Sequence, residues 1–336
     1  MELFLLGTAV VLAGGFAFIN GFHDVSNSVA TSVRTRALTP TVAVLLAALF
    51  NLVGALMSVS LADLFTGDRI ALPSGQTGLG IIIAGLLAAS SWGLFTWYRG
   101  KPSSSTHALL GGLVGAGLAS AFLSDQSIAW SGRVFLLEIG LPLLLSPVIA
   151  FLLAYLAVFP ATWFLRNNSP RKVNEGNRMA QAVLTGAFAL GHGLQDGQRT
   201  MVVIVLAMVG AGVYTGSTVP IWVQVFAAVV LAAGSLLGGW RITHTLSHRL
   251  VRIDPLHGMA AQGVSAVMLF VGAIGFHMPL SSTHTMTSAI VGAGTNHRYS
   301  TVHRRVVRTV LLVWITTAPV AALLGATLYL AISPLL

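Results

Sequence analysis

Ten apolar stretches dominate this sequence, most of them close to the ~20 residues that carry a helix across a bilayer. In the first half they read as 3–33, 41–62, 78–98, 105–123 and 134–158. In the second they read as 179–213, 219–240, 259–277, 283–296 and 309–333. The chain is 55% hydrophobic and 8% charged, against about 25% charged in a soluble domain. So little charge cannot cover a water-facing surface, but a chain surrounded by lipid does not need it. The expectation is an all-α polytopic membrane protein. No basic residue precedes Arg34, so 3–19 reads as a retained membrane helix rather than a cleaved leader.

The formal net charge of +9 raises nucleic-acid binding, and the placement of the charges argues against it. Arg34 and Arg36 follow the first stretch. Arg99 and Lys101 lie between the third and fourth. Arg166, Arg171, Lys172 and Arg178 join the halves. Arg241, Arg249 and Arg252 follow the seventh, and Arg298, Arg304, Arg305 and Arg308 precede the tenth. These alternate connections hold fifteen of the 18 basic residues. The other connections hold Arg69 and Arg133 beside Asp63, Asp68 and Asp125. The positive-inside rule puts the basic set in the cytoplasm. The expectation is therefore a multi-pass protein of the cytoplasmic (inner) membrane with both termini extracytoplasmic, a lipid partner and no nucleic-acid partner.

The sequence repeats itself. Pro102-Ser103-Ser104-Ser105-Thr106-His107 recurs as Pro279-Leu280-Ser281-Ser282-Thr283-His284, an offset of 177. Gly21-Phe22-His23-Asp24 echoes Gly193-Leu194-Gln195-Asp196, an offset of 172. Five crossings per half make the second copy start on the opposite side from the first. Two inverted-topology repeats, 1–159 and 179–336 with a cytoplasmic linker at 160–178, are expected to meet near the midplane, as in many secondary transporters.

Asp24 and Asp196 are the acids placed deep in spans, where an ionisable group is costly and usually functional. Glycine and polar residues surround both, in 20–28 and in 191–200. Such punctuation predicts broken or re-entrant helices lining a site. Helical spacing puts Asn20, Asp24 and Asn27 on one face and turns Asp196 towards Arg199 and Thr200. An Asp196–Arg199 pair with a purely structural role is the plain alternative. Each Pro-x-Ser-Ser-Thr-His motif opens an apolar helical run and so reads as a helix N-terminus, where hydroxyls and free N–H groups favour a phosphate-like anion. Ordinary capping is the plain alternative. Two carboxylates beside a polyanion need a positive companion. Oxygen ligands suit a proton, sodium or a divalent metal.

The remaining chemistry is easily bounded. There is no cysteine, which removes thiolate metal sites and cysteine nucleophiles. Ser105 with His107, and Ser282 with His284, stand two apart and face different ways, so no hydrolase and no catalytic residue is expected. No tight His–carboxylate spacing marks a zinc site. His244, His248 and His257 are expected to be exposed in a basic loop.

With these motifs in hand, the chain resembles the inorganic phosphate transporter (PiT) family, in its bacterial low-affinity branch. The likeness covers most of the chain. Gly21-Phe22-His23-Asp24-Val25-Ser26-Asn27 matches the first signature. His192-Gly193-Leu194-Gln195-Asp196-Gly197-Gln198-Arg199 matches the second, with Gln195 where the family has Asn and Arg199 where it has Lys. The paired Ser-Thr-His motifs complete it. The resemblance implies an inverted-repeat phosphate symporter, coupled to protons or sodium, without a resident cofactor and assembled as a homodimer. It also allows the Ser-Thr-His segments to be hairpins, for about twelve helices. By position it assigns substrate binding to Asp24, Asn27, Ser104, Ser105, Thr106, Asp196, Gln198, Ser281, Ser282 and Thr283. It assigns cation coupling, with sodium as the candidate metal, to Asp24, Asn27, Asp196 and Gln195. The residues alone leave open a permease for another tetrahedral oxyanion, such as sulfate, and a passive anion channel. Hydrogen phosphate can donate a proton to a carboxylate and sulfate cannot, which favours phosphate.

Overall fold

A computed structural model describes residues 1–58, 72–124, 135–216, 218–276, 278–296 and 302–336. Asp63, Asp68, Arg69, Asp125, Arg133 and Arg298 lie outside the described residues. The helices are α1 (Glu2–Arg34), α2 (Pro40–Met57), α3 (Gly75–Tyr98), α4 (Ser105–Leu123), α5 (Leu141–Leu165) and α6 (Pro170–Gly210). They continue with α7 (Ile221–Leu236), α8 (Trp240–His244), α9 (Pro255–Phe270), α10 (Ser282–Thr295) and α11 (Arg304–Ile332). No β-sheet forms among the described residues; one isolated bridge joins Val251 to Val302.

Among the described residues, six helical segments are long and apolar enough to cross a membrane: α1 to α5 and Arg304–Leu335. A seventh is Ile221–Leu236 continued by Trp240–Leu250 across a 55° bend. Large apolar side chains such as Phe122, Leu144, Phe164, Ile315 and Leu323 point outward. A soluble protein could not present so many, and lipid accepts them. The chain is a multi-pass helical membrane protein.

Several expected boundaries shift. α10 has 14 residues and extends only about 21 Å, too short for a full crossing. The linker expected at 160–178 is helical except for 166–169, because α5 runs on to Leu165 and α6 starts at Pro170. His257 is half-buried against Asp254, the N-cap of α9, whereas His244 and His248 are exposed.

The larger correction concerns α1 and α6. A break is expected at the glycines around Asp24 and Asp196, yet both helices run through unbroken. The glycines serve contact between helices instead. A Cβ on Gly21 would lie 2.2 Å from the Leu231 carbonyl oxygen, and one on Gly234 would lie 2.1 Å from that of Phe18. So α1 and α7 cross backbone to backbone. The other half repeats the arrangement: a Cβ on Gly193 would lie 2.3 Å from Asn51 O, and one on Gly54 would lie 2.2 Å from Leu190 O. Small residues at such crossings are the usual device for tight helix packing in lipid.

The duplication therefore shows in the packing. α1 packs on α7, and α6 on α2. α3 packs on α1 and α4, as α9 does on α6 and α10. The last helix of each half packs on the Ser-Thr-His helix of the other, α11 on α4 and α5 on α10. The two halves interlock.

Among the described residues, the connections that carry Arg99 and Lys101, Arg241 and Arg249, and Arg304 meet one another in pairs. Arg241 Nη1 donates to the Tyr98 carbonyl (2.7 Å) and its guanidinium lies over the Trp97 and Tyr98 rings. Thr245 Oγ1 donates to Gly100 O (2.7 Å). Nearby, His303 N donates to Leu250 O.

The glycine crossings make a prediction. Gly234→Ala or Gly54→Ala forces two backbones apart and is expected to destabilise the protein by ~1–3 kcal/mol, the usual cost of overpacking. Gly15→Ala, with nothing within 4 Å of its added methyl, serves as the control. Thermal unfolding in detergent should show the first two melting lower and the control unchanged or higher.

Candidate functional site

The N-termini of α4 and α10 come together on α1. Ser104 and Ser281 cap these helices, accepting from the backbone N–H of His107 (3.3 Å) and His284 (3.2 Å). Capping turns the next residues inward. Ser105 and Ser282 both donate to Asp24 Oδ2, at 3.4 and 3.3 Å, and Thr283 donates to Asp24 Oδ1 at 3.1 Å. Asn27 Nδ2 donates to Thr283 Oγ1 (3.0 Å). The Asp24 carboxylate thus sits at two helix N-termini, where hydroxyls and dipoles both favour negative charge. Behind it, His23 Nδ1 lies 2.8 Å from Asp24 Oδ1. His23 Nε2 lies 3.4 Å from both Thr96 and Ser103 hydroxyls.

Asp196 meets this group from α6. Asn20 Nδ2 donates to its Oδ2 (2.6 Å), and Arg199 Nη2 lies 2.9 Å from its Oδ1. His192, one turn before Asp196, joins the two acids. Its Nδ1 lies 2.9 Å from Asn51 Oδ1, whose amide nitrogen in turn donates to Ser235. An amide oxygen only accepts, so Nδ1 carries the hydrogen. Its Nε2 then faces two carboxylates, 3.1 Å from Asp196 Oδ2 and 3.8 Å from Asp24 Oδ2. Asp24, His192 and Asp196 are all buried and bring one ligand atom each within 4.8 Å of one another. The amide oxygens of Asn20 and Asn27 are buried with no hydrogen-bond partner among the described residues. Two carboxylates and two unspent amide oxygens make a donor set suited to a hard cation.

The structure sorts the residues singled out from the sequence. Asp24, Asn27, Asp196, Ser105, Ser282 and Thr283 converge. Ser104 and Ser281 are committed as caps. Thr106 turns to an apolar cavity beside Arg199. Gln198 donates to Ser58 O at the end of α2 (3.3 Å), and Gln195 donates to Leu269 O (3.1 Å) with its Oε1 buried and unpartnered. Two groups in the cluster carry no role in the sequence reading, His23 and His192, and Asn20 enters it only as sharing a helix face with Asp24. The expected lack of tight His–carboxylate spacing is corrected by His192, four residues before Asp196, a spacing that stacks two side chains on one helix face.

Paired helix ends and paired buried acids lie between the interlocked halves of a multi-pass helical membrane protein, an arrangement that suits a membrane transporter. Comparison with known proteins shows the family. The profile of the phosphate transporter family matches residues 20–325, and the chain belongs to that family. It is 36% identical over 332 residues to a probable low-affinity inorganic phosphate transporter of Bacillus subtilis, covering 98% of each chain. It is 40% identical to a protein of the same description from Rhizobium meliloti, covering 97% of this chain and 96% of the relative. Its fold is similar to a solved structure described as "The sodium-dependent phosphate transporter". That match has a TM-score of 0.78 at 20% identity, over 99% of this chain and 100% of the other. The relatives are transporters, not enzymes.

A prediction separates the convergent residues from the rest. Ser282→Ala removes a hydroxyl donor that a bound phosphate would use, a bond to a charged group worth ~1.5 kcal/mol or more, and is expected to weaken phosphate uptake affinity about tenfold. Gln198→Ala, which loses a bond outside the cluster, is expected to leave KM unchanged. Initial rates of labelled phosphate uptake in proteoliposomes, measured across phosphate concentrations, decide between them.

Proposed function

We propose that this chain imports inorganic phosphate across the cytoplasmic membrane by symport with a cation, and that Asp24 is the residue through which the two are coupled. The observation that carries the reading is the convergence of Ser105, Ser282 and Thr283 on one carboxylate. These hydroxyls are the donors a phosphate would need. While Asp24 is negative and uncompensated it holds them, and it also repels the anion. A cation taken by Asp24, with Asp196, Asn20 and Asn27 within reach, removes the repulsion and releases the hydroxyls. Phosphate and cation then favour each other's binding.

Asp24, Asn27, Ser105, Asp196, Ser282 and Thr283 are the residues proposed to hold substrate and cation. Ser104 and Ser281 act by aiming their helices. The coupling ion is a proton, sodium or a divalent metal. The sodium dependence of the structurally similar transporter makes sodium the first to test. The repeats, 1–159 and 179–336, are proposed to lie inverted in the membrane. The meeting of the basic connections supports a cytoplasmic basic end and extracytoplasmic termini. A homodimer is proposed on the family resemblance.

Counterflow in liposomes, with sodium, proton and magnesium gradients imposed separately, tests the proposal. Uphill phosphate accumulation is expected under one of them. Asp24→Asn and Asp196→Asn are each expected to abolish it. Unchanged coupled uptake in both variants would refute the coupling role. Phosphate flux that only equilibrates, with no uphill accumulation under any imposed gradient, would point to a passive channel, and full competition by sulfate to a general oxyanion permease.

A further inference from the structure

Asp196 is fully buried, whereas 10% of the Arg199 side chain is exposed. Arg199 is therefore the least buried charged group of the cluster. It borders a cavity of about 70 Å3 between α4 and α6, lined by Leu110, Leu113, Val202 and Leu206, with Thr106 beside Arg199. Leu72, which also lines it, precedes α3. The far end of α3 meets Arg241. The cavity thus lies towards the end of the molecule away from Arg241.

The guanidinium ties three elements together at this point. Nη2 lies 2.9 Å from Asp196 on α6 and donates to the Leu280 carbonyl (3.0 Å), just before the cap of α10. Nη1 donates to Ser105 Oγ (3.4 Å) in the first turn of α4. One side chain therefore spans the two Ser-Thr-His ends. It also holds one of the hydroxyls that Asp24 uses.

We propose that Arg199 is the anion-receiving latch between this cavity and the paired acids. Phosphate arriving from the cavity side meets no other charged side chain on the walls described. Its oxygens match the guanidinium fork. Drawing the two Nη groups onto phosphate takes them off Asp196, Ser105 and Leu280. Asp196 is then free for the cation, Ser105 for the substrate, and the two helix ends are no longer tied. This deepens the symport reading and rests on it, because it supplies the order: anion at Arg199 first, then both ligands between the acids. An ammonium at this position would keep the charge but could not reach the three partners in their fixed directions.

The test uses the cysteine-free background of this chain. Leu110→Cys places a single thiol on the cavity wall, and a membrane-impermeant maleimide is added from the cavity side. In the otherwise unchanged protein, phosphate is expected to slow labelling. Arg199→Gln is expected to raise KM for phosphate at least about tenfold, and to abolish the protection. Wild-type KM and intact protection in Arg199→Gln would overturn the proposal. Should that variant fail to fold, Arg199→Lys decides. It is expected to label faster than the parent without phosphate, with a raised KM, and parental values for both would overturn the proposal. If the unchanged protein shows neither uptake nor protection, the phosphate reading itself fails, and the latch with it.

Discussion

The rest of the structure is arranged around a carboxylate that has no business being dry. Removing an ionised group from water costs several kcal/mol unless other groups replace the solvent. Asp24 is 1% exposed. What replaces water is three hydroxyls, the positive ends of α4 and α10, and the His23 ring. None of the three hydroxyls comes from α1 itself, and two of the three come from the other half of the chain. The interlocked packing, the committed capping serines and the glycine crossings can all be understood as what is needed to bring these ends onto one carboxylate.

Duplication supplied two such acids, and divergence gave them different surroundings. At the 172-residue offset, Asn20 corresponds to His192 and Asn27 to Arg199. At the 177-residue offset, Thr106 corresponds to Thr283. Asp196 has a guanidinium at 2.9 Å. Asp24 has instead the hydroxyls, the His23 ring at 2.8 Å and, at 3.8 Å, the imidazole of His192. A carboxylate paired with Arg is compensated by the protein. One held by hydroxyls and imidazoles, with no permanently charged cation beside it, depends more on what else arrives. The asymmetry makes Asp24 the more responsive acid, although the two lie at matched positions of the repeat.

Much of this is legible in the sequence because the signals are local. Buried acids stand out in apolar stretches, a capped helix start shows as Pro-Ser-Ser-Ser-Thr-His, and a repeat shows as an offset. What the sequence hides depends on partners. Gly21 and Gly193 look the same in sequence whether they break a helix or admit another backbone, and only the Leu231 and Asn51 carbonyls opposite them decide. Ser104 and Ser105 are adjacent and chemically alike, yet one faces its own helix and the other Asp24. Gln198 shares a motif with Asp196 but lies about 200° round the helix, facing α2. His192 is different. Its spacing from Asp196 is plain in the sequence, but a search for a zinc motif passes over it, because its role is to bridge two acids.

The same geometry limits how the site can open. α1 against α7 and α2 against α6 touch backbone to backbone, with no room for a methyl group. Sliding there would need concerted loss of close packing along both crossings. The ends of α4 and α10 are joined quite differently. Ser105 and Ser282 meet through Asp24, Arg199 reaches from Ser105 to Leu280, and the His107 and His284 rings lie 4.7 Å apart. These are side-chain contacts, two of them made through groups that phosphate or a cation would claim. α10 is also too short to be anchored at both membrane faces. On the proposed reading, ligand binding acts on this side-chain junction between the halves and leaves the backbone crossings intact. That is the arrangement required if occupancy, rather than thermal fluctuation alone, is to decide when the two ends part.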